Sequence, residues 1–206
     1  MSKIIADEVI KYLDFDNGFF IEVGANDGLT SSNTIALEKR GWRGMLIEPS
    51  YIAYNACLRT RGNGRNIIIQ AALVSNDYHK SLIAGDFTGH PMSSIGGKRL
   101  NNEDKALILV PAYTITELLT QFKIEHVDFF SLDTEGYETE ILAGVDFEKW
   151  SPTFFLIEWN VGEDDLFPFM ESKGYECLGN ISQFTIEDDP GWQGQHQDYL
   201  FKLKGK

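Results

Sequence analysis

Residues 18–28 read GFFIEVGANDG, an apolar run that ends in one glycine and is followed by a second glycine four positions later. A short apolar run with these flanks is typical of a buried parallel strand. Gly24 allows the chain to turn sharply off the strand and a ligand to approach the backbone, and Gly28 relieves crowding before the next helix. The stretch therefore predicts a strand, a tight loop and then a helix.

The rest of the chain repeats this unit. Strand, helix, strand, helix and strand patterns follow one another early in the chain, which indicates a parallel sheet with right-handed crossovers. The predicted strands are 18–24, 44–48, 66–70, 126–133 and 153–159, and the predicted helices are 4–13, 31–39, 51–59, 114–122, 137–145 and 164–173. Two last runs, 175–178 and 198–203, are predicted to pair antiparallel. We expect one α/β domain over residues 1–206, with a doubly wound, mostly parallel seven-stranded sheet and an antiparallel edge strand.

The region between the third and fourth strands is less regular. Residues 71–84 alternate weakly and predict a hairpin that turns at 75–77, and residues 110–113 predict a short strand. Thr114 and Glu117 have the spacing of a capping box for the helix that follows. Residues 85–104 are rich in glycine and asparagine, and a loop of that length in a compact domain is usually functional or disordered.

The charge balance argues against a nucleic-acid partner. The chain has 31 acidic and 18 basic side chains and a formal net charge of −13, a field that repels phosphate backbones. The arginines at 59, 61 and 65 are typical of a solvated loop. The two cysteines are far apart and read as free thiols, and no signal peptide or membrane span is apparent. We expect a cytoplasmic protein with no membrane contact, and the sequence indicates no oligomeric state.

The loop after the first strand is a candidate ligand site, because ligands of open parallel sheets bind beyond the carboxyl ends of the strands. It has only two glycines, four positions apart, and so lacks the G-x-G-x-x-G dinucleotide fingerprint. Glu22 suits a ligand with an ammonium group and repels a pyrophosphate, which favours S-adenosylmethionine over NAD. The structural alternative is a tight turn beside a solvent-facing Glu22. The candidate cofactor-binding residues here are Glu22, Gly24, Asn26, Asp27 and Gly28.

The ends of the second and third strands extend this candidate site. Glu48, twenty residues after Gly28, can accept both hydroxyls of a ribose, although NAD enzymes place an acid similarly and a helix cap is the structural alternative. Ala71 lies in a small-residue stretch that could line an adenine slot, and plain packing explains it as well.

The fourth strand leads directly into an acidic segment, residues 133–138, which contains Asp133, Glu135 and Glu138. Three neighbouring carboxylates repel one another unless a cation or a proton offsets their charge. A sulfonium, a metal ion or a general base would each account for them. An acidic helix start favoured by the helix dipole is the structural alternative, and it explains Asp133 poorly.

Two further groups bear on the chemistry. Asp133, Glu158 and Asn160 would meet above adjacent strand ends, and three such oxygen ligands can hold Mg²⁺. An acidic cleft without a metal is the alternative that we favour, because magnesium sites have no strict sequence spacing. His90, in the 85–104 loop, is a candidate base, and exposure without a function is its alternative.

Residues 20–28 and 128–138 together resemble the FkbM family, and the resemblance extends over roughly residues 18–160. It implies a Rossmann-like class I S-adenosylmethionine-dependent methyltransferase that methylates oxygen, commonly in hydroxyls of sugars or natural products. By the family pattern, residues 22, 24, 26 and 28 would contact the methionine end of the cofactor and Glu48 the ribose. Asp133 and Glu135 would lie at the site of methyl transfer. Ser131 is a departure, because the family usually has lysine there.

We therefore predict an O-methyltransferase that acts on a hydroxyl group, with a sugar or glycan as the expected acceptor. Asp133 or Glu135 is the expected base, with His90 as the next choice. The first alternative is an NAD-dependent oxidoreductase, which Glu48 permits and Glu22 disfavours. The second is a non-catalytic module that binds a nucleoside.

Overall fold

The computed structural model of the chain describes residues 2–88, 95, 107–160, 165–182 and 196–206. The strands are β1 (Phe19–Val23), β2 (Arg43–Ile47), β3 (Ile67–Ile69), β4 (Ala72–Leu73), β5 (Leu82–Gly85), β6 (Ile108–Tyr113), β7 (Phe129–Leu132), β8 (Phe154–Asn160), β9 (Tyr175–Asn180) and β10 (His196–Leu203). The helices are α1 (Ser2–Tyr12), α2 (Ile35–Glu38), α3 (Tyr51–Arg61), α4 (Ile115–Gln121), α5 (Glu138–Leu142) and α6 (Leu166–Ser172).

Seven strands form the main sheet in the order β3-β2-β1-β7-β8-β10-β9. The first five are parallel, whereas β10 is antiparallel to both β8 and β9. The chain leaves β1 towards β2 and β3 and later returns to β7 on the other side of β1, so the switch point lies between β1 and β7. The predicted doubly wound sheet is confirmed, and its antiparallel strand lies one place inside the edge.

Alternating side chains of the strands form two apolar layers, one on each face of the sheet. Ile21, Phe130 and Phe155 belong to the layer that includes buried residues of α4, α5 and α6. Phe20 and Phe129 belong to the opposite layer, which includes buried residues of α1, α2 and α3. Because both faces are covered, the strands need no polar alternation, which explains the continuous apolar runs in the sequence.

The segment after β3 forms a separate three-stranded sheet in the order β4-β6-β5. The predicted hairpin over residues 71–84 is wrong, because β4 pairs parallel with β6 and β5 pairs antiparallel with β6. The distant strand β6 contributes Val110 and Ala112 to an apolar cluster with Val74 and Ile83. This packing outweighs the local turn at 75–77. The predicted strand at 110–113 is confirmed within β6.

The observed helices differ from the predicted ones mostly in where they begin and end. The capping box of α4 is present, with the Thr114 amide donating to Glu117 (2.7 Å) and the Glu117 amide donating to the Thr114 hydroxyl (3.1 Å). The predicted helix 31–39 is shorter, because α2 begins only at Ile35, and Ser31 has a left-handed backbone (φ 60°).

None of the helices in the described parts of the chain is long and apolar enough to cross a membrane.

Candidate active site

A single row of residues crosses the main sheet just beyond the carboxyl ends of the parallel strands. Gly24 follows β1 and donates its amide to Ile47 (3.1 Å), and Asp133 follows β7 and donates its amide to Val23 (3.3 Å). Glu48 follows β2, the strand that lies beside β1 on the side away from β7. Since Leu132 pairs with Ile157, Asp133 lies beside Glu158. Asp198 of β10 pairs directly with Glu158. We call Glu48, Asp133, Glu158 and Asp198 the carboxylate row.

A cavity of about 210 Å³ opens at the first half of this row. Seven of the predicted site residues line it: Glu22, Gly24, Asn26, Glu48, Ala71, Asp133 and Glu135. Apolar side chains complete the wall, among them Pro49 after β2, Ala53 of α3, Ala72 and Leu73 of β4, and Phe87 after β5. The structure thus brings polar groups from β1, β2 and β7 to one apolar-walled cavity at the switch point.

Glu48 is buried and holds two loops together. Its Oε2 accepts from the Asn26 amide (2.8 Å) and its Oε1 from the Ser50 amide (2.8 Å). Burial raises the pKa of Glu48 to about 7, although these two hydrogen bonds oppose the rise. Asn26 takes a left-handed backbone (φ 48°), which asparagine tolerates better than most residues. Glu48 therefore presents a fixed carboxylate to the cavity.

Glu22 is also buried, so the solvent-facing alternative for this residue is wrong. Its carboxylate accepts from the Asn33 amide (2.9 Å) and from the hydroxyls of Ser32 (3.0 Å) and Thr34 (2.6 Å). Burial raises the pKa of Glu22, and the charge of Arg61, whose Nη1 lies 3.6 Å from Glu22 Oε2, opposes that rise. These bonds hold residues 24–34, the β1–α2 loop, against the cavity.

The two glycines of the loop serve close packing of the chain. Gly24 has φ 80°, and a Cβ atom on it would lie 1.9 Å from the carbonyl oxygen of Asp133. Gly28 has φ 77°, and a Cβ atom there would lie 2.6 Å from Cγ of Arg61. Only glycine allows the loops after β1 and β7 to approach this closely. Gly28 packs on α3 and does not line the cavity.

Asp27 is likewise not brought to the cavity wall. Its Oδ1 accepts from the amides of Leu29 (2.9 Å) and Thr30 (2.6 Å), and its Oδ2 accepts from the Thr30 hydroxyl (2.7 Å). Such side-chain to backbone bonds stabilise a turn. The structure therefore gives Asp27 a role in the β1–α2 loop, separate from the residues that face the cavity.

On the other side of Gly24, three carboxylates crowd together. Oxygen atoms of Asp133, Glu135 and Glu158 all lie within 4.8 Å of one another. Burial, followed by the charges of Glu158 and Glu135, holds the pKa of Asp133 well above its usual value. Glu138 has another task, because it accepts from the amides of Thr134 (2.9 Å) and Gly136 (3.2 Å) and so fixes this loop.

The same three carboxylates are the group in the described part of the chain with the geometry to hold a metal ion. Asp133 and Glu158 are two of the predicted ligands, and Glu135 takes the third place. The side chain of the third predicted ligand, Asn160, lies outside the described part of the structure, as does His90, the other predicted base.

Two residues of the site escaped sequence reasoning. Asp198 is 5% exposed, and burial together with the charge of Asp133 raises its pKa to about 7. Its position in phase with the buried Leu200 on β10 was an available signal. Arg61 is 0% exposed, so its assignment to a solvated loop is wrong. Arg61 is spaced four and eight residues from Cys57 and Ala53, the other buried positions of α3.

A family model described as "Methyltransferase FkbM domain" matches residues 22–177. None of the curated proteins matches the chain. Among solved structures, PH1948 from Pyrococcus horikoshii, a candidate RNA methyltransferase, is 11% identical, with a TM-score of 0.52 over 100% of this chain and 83% of that chain.

Two more solved structures share the fold. TrmK from M. capricolum, in complex with S-adenosyl-homocysteine, is 15% identical, with a TM-score of 0.51 over 98% of this chain and 68% of that chain. The fibrillarin pre-rRNA processing protein from Methanococcus jannaschii is 13% identical, with a TM-score of 0.52 over 93% and 69%. At such identities the likeness concerns the fold alone, and it confirms the predicted Rossmann-like methyltransferase architecture.

Proposed function

The chain belongs to the methyltransferase FkbM domain family, and we propose that it uses S-adenosylmethionine to methylate a hydroxyl oxygen of a sugar or glycan. The observation that carries this proposal is the position of Asp133. It lies at the cavity wall, next to Gly24 and among Glu135 and Glu158. A buried carboxyl among like charges has a raised proton affinity, which suits it to accept the proton of an acceptor hydroxyl.

The residues of the cavity fit the cofactor chemically. Glu48 has one backbone donor on each oxygen and keeps lone pairs for two ribose hydroxyls. Ala71, Ala72 and Leu73 offer an apolar slot for adenine. Glu22, at the opposite end, supplies negative charge for the ammonium group of the methionine part. The bound cofactor would supply a methyl group on a positively charged sulfur, and the sulfur would become a neutral thioether once the methyl group is transferred.

The protein's own contribution is to orient the acceptor and remove its proton. Asp133 would accept the hydroxyl proton while the acceptor oxygen lies about 3–3.5 Å from the methyl carbon, a separation typical of reactive conformers. Glu135 and Glu158 raise the proton affinity of Asp133 through their charges. Such a base contributes about 10²–10⁴-fold to the rate.

The charge of the site favours an acceptor without phosphates. The carboxylate row and the net charge of −13 repel polyanions. Two of the proteins that share the fold are described as acting in RNA methylation or pre-rRNA processing, and the charge here points away from such partners. Phe87 and Tyr137 line the cavity and provide aromatic surface for a neutral, sugar-like group.

Calorimetric titration with S-adenosylhomocysteine, with NAD as the control ligand, tests the cofactor class. We expect micromolar binding, about −8 kcal/mol, that is absent for NAD and lost in Glu48→Ala. Folded wild-type protein that binds NAD instead would make it an oxidoreductase. Transfer of a labelled methyl group to a panel of neutral glycosides, acidic glycosides and RNA then tests the acceptor. Binding without transfer to any of them would support a non-catalytic nucleoside-binding module.

We further propose that transfer needs no divalent cation. Asp133 would lie beside the positively charged sulfur of the bound cofactor, and that charge would offset the repulsion among the three carboxylates that a metal ion would otherwise offset. Turnover should therefore be unchanged after dialysis against EDTA. Loss of turnover that Mg²⁺ restores would instead make Asp133, Glu135 and Glu158 metal ligands.

A further inference from the structure

Arg61 ends α3, and its side chain is completely buried. A buried guanidinium keeps its charge, so its N–H donors need acceptors. Nε donates to Glu38, Nη1 to the Gly28 carbonyl (2.8 Å) and the Ser32 hydroxyl (3.1 Å), and Nη2 to the Thr34 hydroxyl (3.0 Å). Three of these contacts fall in the β1–α2 loop. One arginine therefore fixes this loop to α3.

The opposite side of the same loop faces the cavity, where Thr30, Ser31 and Ser32 form part of the wall. Thr34 lies between Arg61 and the cavity-lining Glu22, because its hydroxyl donates to Glu22 (2.6 Å) and accepts from Arg61. Only one layer of polar groups thus separates the guanidinium from the predicted site of the methionine end.

We propose that Arg61 is a positioning residue for the methionine end of the cofactor and acts through Thr34, Ser32 and Glu22. The inference rests on the proposed function, since it presumes that the cavity holds S-adenosylmethionine. Arg61 compensates the buried charge of Glu22 and fixes the loop that carries Ser32. Glu48, at the nucleoside end, is held instead by the amides of Asn26 and Ser50. Loss of the Arg61 contacts should therefore weaken binding of the methionine end and leave binding of the nucleoside end unchanged.

Two ligands separate the two ends. S-adenosylhomocysteine carries the whole amino acid, whereas 5′-methylthioadenosine has the same nucleoside and sulfur without it. Thr34→Val removes the hydroxyl that links Arg61 to Glu22, keeps nearly the same shape, and changes a residue that is not part of the cavity wall. Thr34→Ser keeps the hydroxyl and is the matched rescue. Arg59→Met, at an exposed position of α3, is the control for a lost arginine.

We expect Thr34→Val to bind S-adenosylhomocysteine about tenfold more weakly, the usual size of a lost hydrogen bond to a charged group. Its affinity for 5′-methylthioadenosine should stay within about twofold of wild type, because the nucleoside contacts are intact. Thr34→Ser and Arg59→Met should resemble wild type with both ligands. Arg61→Lys keeps the charge but loses the planar fork, so it should show at least the loss of Thr34→Val.

The outcomes separate the two proposals. If wild type binds neither ligand, the proposed function fails first, and this inference with it. If wild type binds both ligands and Thr34→Val weakens both equally, or weakens neither, the role of Arg61 is purely structural and the inference is overturned. If Arg61→Lys does not fold, the Thr34→Val and Thr34→Ser pair decides alone, because both keep the buried guanidinium.

Discussion

The two sides of the switch point are built from the same chemical group in opposite ways. On the β1–β2 side, Glu22 and Glu48 each accept hydrogen bonds from amides or hydroxyls on both oxygens. On the β7–β8 side, Asp133, Glu135 and Glu158 lie within 4.8 Å of one another. The first arrangement fixes carboxylates with donors, and the second brings carboxylates against each other.

This difference indicates a division of labour. Burial raises the pKa of the carboxyls on both sides, but on the β1–β2 side hydrogen bonds oppose that rise. On the β7–β8 side, neighbouring charges add to it. A carboxylate held by donors is suited to bind a ligand in a fixed geometry, whereas one destabilised by like charges gains proton affinity. We therefore expect binding to depend on the first side and turnover on the second.

The largest effect should come from Asp133→Asn, which removes the base and keeps the shape. Turnover should fall by about 10²–10⁴-fold, while the affinity for S-adenosylhomocysteine changes by less than about threefold. Methyl-transfer rates and calorimetry on the same preparation measure the two quantities. Equal losses in turnover and in affinity would contradict the separation of binding and turnover, and would make Asp133 a cofactor-binding or structural residue.

Gly24 lies where the loop after β1 packs against the loop after β7, and Gly24→Ala tests how closely the two loops must approach. A Cβ atom there would lie 1.9 Å from the Asp133 carbonyl oxygen, and φ is 80°. We expect a loss of roughly 3 kcal/mol in the free energy of unfolding, measured by urea denaturation, because the clash adds to the backbone strain. Gly64→Ala is the matched control, since Gly64 has φ 79° and no heavy atom within 4 Å. It should lose only about 1 kcal/mol. Similar losses in both would show that the two loops separate easily.

The pH dependence of cofactor binding should come mainly from the β1–β2 side. The pKa of Glu48 is about 7 because the group is buried. Ribose hydroxyls donate to the ionised form, so a ligand that prefers this form binds more tightly as pH rises through 7. We expect S-adenosylhomocysteine to bind about tenfold more weakly at pH 6 than at pH 8. Glu48→Gln should bind more weakly and without this slope. An unchanged slope would assign the titration to Asp133 or Asp198.

Local patterns were enough to predict the main sheet and seven of the residues that line the cavity. Parallel strands covered on both faces leave continuous apolar runs, and a ligand site follows the last residue of each strand. Hence Glu48 and Asp133 could be located from chain position alone. The hairpin over 71–84 failed because β6, more than twenty residues later, takes the place of the neighbouring strand.

Arg61 and Asp27 show what chain position does not specify. The charge of Arg61 is tolerated inside the protein because Glu22 and Glu38 are brought to it from other elements. That compensation is a tertiary property, although the spacing from Ala53 and Cys57 already placed Arg61 on the buried face of α3. Asp27 lies between two residues of the predicted site, yet its side chain turns back to its own loop.

The smallest effect is expected from Asp27→Ala, which tests whether Asp27 stabilises its own loop or binds the cofactor. The carboxylate of the half-buried Asp27 accepts hydrogen bonds from two amides and one hydroxyl within the β1–α2 loop. Its removal should lower the free energy of unfolding by about 1 kcal/mol, the usual net value of such bonds. The affinity for S-adenosylhomocysteine should stay within about twofold, because the wall on this side is held by Glu48 and by Arg61 through Glu22. A tenfold weaker affinity with unchanged stability would return Asp27 to the cofactor-binding residues, and would show that ligand binding rearranges this loop.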